Sequence, residues 1–185
     1  MSNVMPLCAD STNLSGVWPE VLAVFAKAQA ASMYCSVASV SEEGIPTVTP
    51  IGTVFLGAPC SGIYFDRFTE QLAANVQASG LICVMAVNAG KLFWLKSLLV
   101  GRFASSPGVR LYGTAGPLRE ATREEAALAV ARVGAARWSK GGRALWSEFT
   151  HVRDLRFTSF RAITYPVMCE RFGKEAHNPS IERTD

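Results

Sequence analysis

Two β-rich runs, Met33 to Val40 and Ile45 to Leu56, are separated only by Ser41-Glu42-Glu43-Gly44. Four residues are too few for a crossover, so the runs must pair as an antiparallel hairpin. The second run holds Pro46 and Pro50 among Thr47, Val48 and Thr49. Proline has no N–H to give to a ladder, so a strand with two of them sits at a sheet edge or is locally opened. A fold for this chain must therefore contain an antiparallel sheet with an accessible strand.

The neighbouring segments extend that frame. Trp18 to Ala30 predicts a helix, with Pro19 near its first turn and Val21, Leu22, Phe25 and Ala28 on one stripe. Gly57 to Gly62 reads as a loop, and Ile63-Tyr64-Phe65 begins a third strand. Thr69 to Ala78 places Leu72, Ala73 and Val76 on one helical face and ends at Gly80. Leu81 to Val87 is a near-continuous apolar run, expected as a central strand. Val109 to Ala115 reads as another, ended by Gly116-Pro117.

Thr122-Arg123-Glu124-Glu125 has the spacing of a capping box, opening a helix that runs to about Trp138 and stops at Gly141-Gly142. Val152 to Val167 supplies one or two last strands. With so few helices between strands, a doubly wound parallel sheet is disfavoured. The expected class is mainly β, an antiparallel barrel or sandwich with peripheral helices. Residues 17–171 are expected as one domain, after a loose segment 1–16 and before a polar, disordered tail 172–185.

Composition narrows the function classes. Hydrophobic residues make up 49% of the 185 and charged residues 18%, which suits one compact domain. No apolar run approaches the ~18–20 residues that span a bilayer, and no secretory leader is evident. Five scattered cysteines without a CxxC pair fit a reducing compartment, so the expected location is cytoplasmic. Residues 1–90 carry two basic against six acidic groups, and residues 91–185 sixteen against nine. The basic residues are dispersed arginines rather than a run. That pattern suits a small anionic ligand and gives no nucleic-acid-binding signature.

Sequence motifs for dinucleotide loops, P-loops, zincins and nucleophile elbows are absent, and only His151 and His177 are present. A histidine-based metal site or triad is therefore not expected. The seam Asp66-Arg67-Phe68-Thr69 joins a strand end to a helix start, where free N–H groups and the helix dipole favour an anion. Arg67 is suited to grip a phosphate there and Thr69 to donate a hydroxyl. The plainer alternative is that Thr69 caps the helix while Arg67 is a solvated charge, paired with Asp66 or Glu70.

The hairpin Met33 to Gly52, with its acidic turn ending in Gly44 and Pro46-Thr47-Val48-Thr49-Pro50, resembles the opening of the pyridoxamine-phosphate-oxidase-like family of FMN-binding split barrels. The strand, hydroxyl-bearing helix start, Asn75-Val76 pair and apolar strand that follow are similar to the family's second motif. The resemblance covers roughly residues 20–165. It implies a six-stranded antiparallel split barrel working as a homodimer, with FMN at the subunit interface and an oxidoreductase activity on a small molecule. It maps phosphate contacts to Arg67 and Thr69. It puts flavin-ring contacts around Thr47, Thr49, Pro50, Ile51 and Gly52, with Gln71 among the cofactor contacts. Leu72 and Glu70 stand where many members carry a lysine and a serine.

Deazaflavin and haem are the alternative cofactors, and a non-catalytic binding protein the alternative role. His151 is the one axial ligand at hand for haem. The insert Lys91 to Phe103 is either an interface segment or a lid. As a lid it would bring Trp94 to stack on the cofactor and Lys96 or Arg102 to complete the phosphate site. Trp138 and Trp146 are open to core, interface or stacking roles, with packing preferred.

Overall fold

The computed structural model describes residues 14–57, 59–146, 148–165 and 168. The expected loose segment and tail lie largely or wholly outside the described residues. Five α-helices and seven strands follow in the order α1 (Leu14–Ser32), β1 (Cys35–Val40), β2 (Pro46–Ile51), β3 (Val54–Leu56), β4 (Ser61–Phe65), α2 (Glu70–Ser79), β5 (Leu81–Val87), α3 (Lys91–Val100), β6 (Gly108–Glu120), α4 (Arg123–Val133), α5 (Lys140–Trp146) and β7 (His151–Ile163).

The strands form one antiparallel sheet in the order β2-β1-β5-β6-β7-β4-β3. Its two edges, β2 and β3, are halves of the single run from Pro46 to Leu56, broken at Gly52-Thr53. The three steps from Ile51 to Val54 span at most about 11 Å. A flat seven-stranded sheet would hold its edges far further apart, so this one has curled until they nearly meet. That is a split barrel. The count is seven strands rather than six, because the expected second strand opens at this corner. Pro46 and Pro50 sit on the edge strand β2, where a missing N–H costs least.

α1 and α2 pack on the inner face. α1 buries Leu14, Trp18, Val21, Phe25 and Ala28 at helical spacing against Val37, Val84, Leu111 and Leu155 of the sheet. Each such side chain contributes roughly 1.5–3 kcal/mol over leaving it in water. The helix starts four residues before Trp18 and carries Pro19 inside its first turns. It ends with Met33 in the left-handed region (φ 64°), whose N–H donates to the Gln29 carbonyl at 2.7 Å. The Trp18 indole donates to the Gly57 carbonyl at 2.9 Å, tying the helix to the end of β3.

Three other expectations are corrected. Strand β6 does not stop at Gly116-Pro117 but runs through them to Glu120, absorbing the pair as an irregularity opposite β7. A proline there is tolerated because the ladder is already interrupted. The helix opened by Thr122 ends at Val133 rather than near Trp138, because Gly134 takes a positive φ of 56°. A 3₁₀ turn, Gly134–Trp138, follows, and Gly141-Gly142 lie inside α5 instead of stopping a helix. The capping box itself forms, with the Glu125 N–H donating to Thr122 Oγ1 and the Thr122 N–H to Glu125 Oε2. Of the one or two last strands expected from Val152 onward, the described residues show one, β7.

Candidate functional site

At the seam between β4 and α2, local structure uses the donors expected to hold a phosphate. Phe68 adopts the left-handed region (φ 58°), a conformation costing a non-glycine residue roughly 1–2 kcal/mol. This turn rolls Thr69 inward and leaves the Phe68 ring exposed. Thr69 occupies the N-cap position of α2 yet makes no cap bond; its hydroxyl donates to Asp66 Oδ1. Asp66 also accepts from Arg153 Nε at 2.5 Å, and Arg153 donates from Nη1 to the Gly116 carbonyl at 3.2 Å. The Asp66 and Arg153 side chains are only 8% and 6% exposed. Arg67 donates to the carbonyls of Glu148 (2.5 Å) and Ala144 (3.3 Å), fastening the end of α5 to the seam.

A phosphate placed here would meet the Asp66 carboxylate and would have to displace these protein acceptors. Leu72, where the resemblance expects a lysine, is fully buried in the core. The seam, as the described residues form it, does not fit a phosphate. It is a buried ionic clamp.

Next to it, Gln71 Nε2 donates to Asn75 Oδ1 at 2.9 Å, and Asn75 Nδ2 donates to Ser39 Oγ and Thr47 Oγ1 at 2.9 Å each. Thr47 and Gln71 are thus brought together, through Asn75. Thr47, Thr49 and Ile51 point toward the barrel interior, with Ile51 in the core, while Pro50 faces out. The insert is the helix α3. Trp94 packs edge-on against Phe103 (5.2 Å) and Tyr165 (5.6 Å), and its indole donates to the Asn88 carbonyl at 2.7 Å. Lys96 and Arg102 are exposed.

Gly52 lies elsewhere, at the corner where β2 gives way to β3. Beside it opens a cavity of about 650 Å3, walled by α1 (Phe25, Ala26, Gln29), the corner (Gly52, Thr53, Phe55) and the α4–α5 region (Leu128, Arg132, Trp146). The volume lies in the range, about 300–1,000 Å3, of pockets that enclose small organic ligands. A Cβ on Gly52 would come within 3.2 Å of the Met33 carbonyl, so this residue lets the end of α1 close over the corner. Gln29 is buried and fixed, donating to the carbonyls of Val54 (3.0 Å) and Gly52 (3.4 Å). Phe25, Phe55 and Trp146 supply aromatic surface. This cavity suits a flat ring.

Of the residues expected around the flavin ring, Gly52 lines this cavity; Phe25, Phe55 and Arg132 line it too and were not among those expected. The i, i+4 spacing of Leu128 and Arg132 marks one helix face; nothing local says that this face meets α1. His151 is exposed, beside Arg67 in a small polar pocket of about 200 Å3, and bonds to Thr150 Oγ1. It is not a cavity residue. Among the described residues no group of three or more His, Cys, Asp or Glu is placed to hold a metal ion.

The fold is that of a split-barrel protein, with a largely apolar cavity at the β2–β3 corner. A family model for pyridoxamine 5'-phosphate oxidase matches residues 20–156, and the chain belongs to that family. Among solved structures, an FMN-binding protein from Syntrophomonas wolfei subsp. wolfei shares the fold at a TM-score of 0.57 and 10% identity, covering 80% of this chain and 88% of its own. A protein of unknown function from Agrobacterium tumefaciens str. C58 matches at a TM-score of 0.50 and 20% identity, over 87% of this chain and 59% of its own. The haem storage protein HutZ of Vibrio cholerae, at 0.46 and 11% identity over 82% and 95%, is too distant to carry an argument. No curated protein matches.

Proposed function

We propose that this chain binds a flavin-class cofactor, FMN in the first instance, with its ring in the cavity beside Gly52, and serves as an oxidoreductase toward a small molecule. The observation that carries the reading is the roomy, aromatic-walled cavity at the open corner of the barrel, in a chain of this family. The cofactor would supply the redox chemistry. The chain's own residues bind and shield: Phe25, Phe55 and Trp146 cover the ring, and Gly52 and Thr53 at the corner bring backbone to its edge. Gln29 keeps the corner in shape. Among the described cavity residues none is a carboxylate or a histidine, so general acid–base catalysis is not assigned to the protein.

A homodimer is part of the proposal. The outer face of β2, β1 and β5 carries Val40, Val48 and Leu81 exposed, with Ala38, Cys83 and Met85 beside them in register. The solvent face of an antiparallel sheet is ordinarily polar. α3 adds Leu92, Leu95, Leu98 and Leu99, all more than half exposed. A second copy would bury such surfaces and close the cofactor site. Cytoplasmic residence accords with the free thiols of Cys35, Cys60 and Cys83, the cysteines among the described residues.

The test is an absorbance titration of the purified chain with FMN, followed by anaerobic addition of a reduced nicotinamide. Bleaching of the bound flavin supports an oxidoreductase. Bound flavin that stays oxidised supports a storage or sensing role. No binding of FMN sends the search to a deazaflavin in the same cavity.

A further inference from the structure

We infer that the cavity at the β2–β3 corner selects planar anions, and that Arg132 is the residue that recognises their charge. The inference deepens the flavin reading and rests on the same cavity as the ligand site. Of the fifteen described residues that line it, Arg132 alone is charged. Its guanidinium stands 5.0 Å from the centre of the Phe55 ring, held over an aromatic face rather than in an ion pair. Among the described residues no carboxylate lies within salt-bridge distance of it. The acid nearest in sequence within the cavity's own helix, Glu125, is engaged by Arg119 at 2.7 Å. The buried Cys35 thiol feels the Arg132 charge, yet burial pushes its pKa up to about 12, so it offers no counter-charge at neutral pH.

A cation at the rim of an apolar pocket, with its fork free of carboxylates, is matched by a ligand with a flat apolar body and one acidic end. Such a ligand places its ring between Phe25, Phe55 and Trp146 and its phosphate, sulfonate or carboxylate on the guanidinium. A neutral analogue keeps the ring contacts and loses the charged one. The anionic grip absent from the seam is thereby supplied from α4, a different element of the fold.

The experiment uses the full chain and two pairs of probes that differ in charge. The first pair is FMN and riboflavin, the second 1-anilinonaphthalene-8-sulfonate and the neutral N-phenyl-1-naphthylamine. Wild-type protein is expected to hold each anion about ten- to a hundredfold tighter than its neutral partner, the range of one charge-assisted hydrogen bond. Arg132→Gln should erase that preference while changing neutral-probe affinity less than twofold, and Arg132→Lys should restore part of it. Thermal melts of the variants check that the fold is unaltered. Equal loss of both probes in Arg132→Gln, or an unchanged preference, overturns the inference, as does failure of every probe to bind. If the naphthalene sulfonate shows the preference while neither flavin binds, the charge selection stands and the flavin reading falls.

Discussion

Replacing Asp66 by alanine should destabilise the protein more than any surface substitution near it. In the wild type, Asp66 accepts from both Arg153 Nε and the Thr69 hydroxyl, and the two charged side chains are 92–94% removed from solvent. Asp66→Ala leaves the Arg153 guanidinium buried with the Gly116 carbonyl as its remaining acceptor. Breaking such a pair from one side costs about 3–5 kcal/mol, most of it the uncompensated charge. At roughly 2–4 °C per kcal/mol for a chain this size, the melting temperature should fall by about 6–20 °C.

Urea titration followed by tryptophan fluorescence measures the loss directly. The double variant Asp66→Ala/Arg153→Leu should recover most of it, because no charge is then buried. A loss below about 1 kcal/mol, or strict additivity in the double variant, would refute the clamp. Thr69→Val separates the two readings of the seam. A structural hydroxyl predicts weakened stability of about 1 kcal/mol and FMN affinity within twofold of wild type. Unchanged stability with FMN binding abolished would return the seam to a phosphate site.

Leu72→Lys, which installs the cation many family members carry, should fail to create a phosphate grip and instead cost more than about 3 kcal/mol, because position 72 is core. Chemical denaturation shows this, and a tighter FMN complex would contradict it. Gly113→Ala should cost about 3 kcal/mol, since its Cβ would stand 1.9 Å from the Arg156 carbonyl on the facing strand; wild-type stability would mean that β6 and β7 part easily here. Hydrogen bonds from Arg119 hold the carboxyls of Glu125 and Asp154 below their ordinary range. Their folded pKa values lie below the unfolded ones, so the clamp contributes above the usual carboxylate range and is lost as pH falls through it, below about pH 4. Being partly exposed, each is worth under about 1 kcal/mol, and Glu125→Gln with Asp154→Asn should flatten the acid limb of a stability–pH curve.

The barrel was legible because its signals are local. Ser41 to Gly44 between two β runs dictates a hairpin, Pro46 and Pro50 mark an edge, and Thr122 with Glu125 caps a helix. Errors fell where long-range pairing overrides a local stop signal. Gly116-Pro117 reads as a strand end but is carried through by β7, and Gly134, not Gly141, supplies the positive φ that ends α4. The site was less legible for the same reason. Arg67 and Thr69 have the chemistry of a phosphate grip, but Asp66, itself paired with Arg153 from 87 residues away, accepts the Thr69 hydroxyl, and the carbonyls of Ala144 and Glu148 claim Arg67. The cavity is assembled from α1, the β2–β3 corner and the α4–α5 region, whose meeting no local spacing announces.

The cavity beside Gly52 is the proposed seat of the cofactor ring. Ala26 lies on its wall and is exposed, so Ala26→Trp fills the space without crowding the core. Riboflavin fluorescence titrated with wild-type protein and with this variant tests the claim without involving any charge. Saturable quenching by the wild type is expected, with at least a tenfold weaker Kd for Ala26→Trp at unchanged melting temperature. Equal affinity for the two proteins would place the ring elsewhere and contradict it.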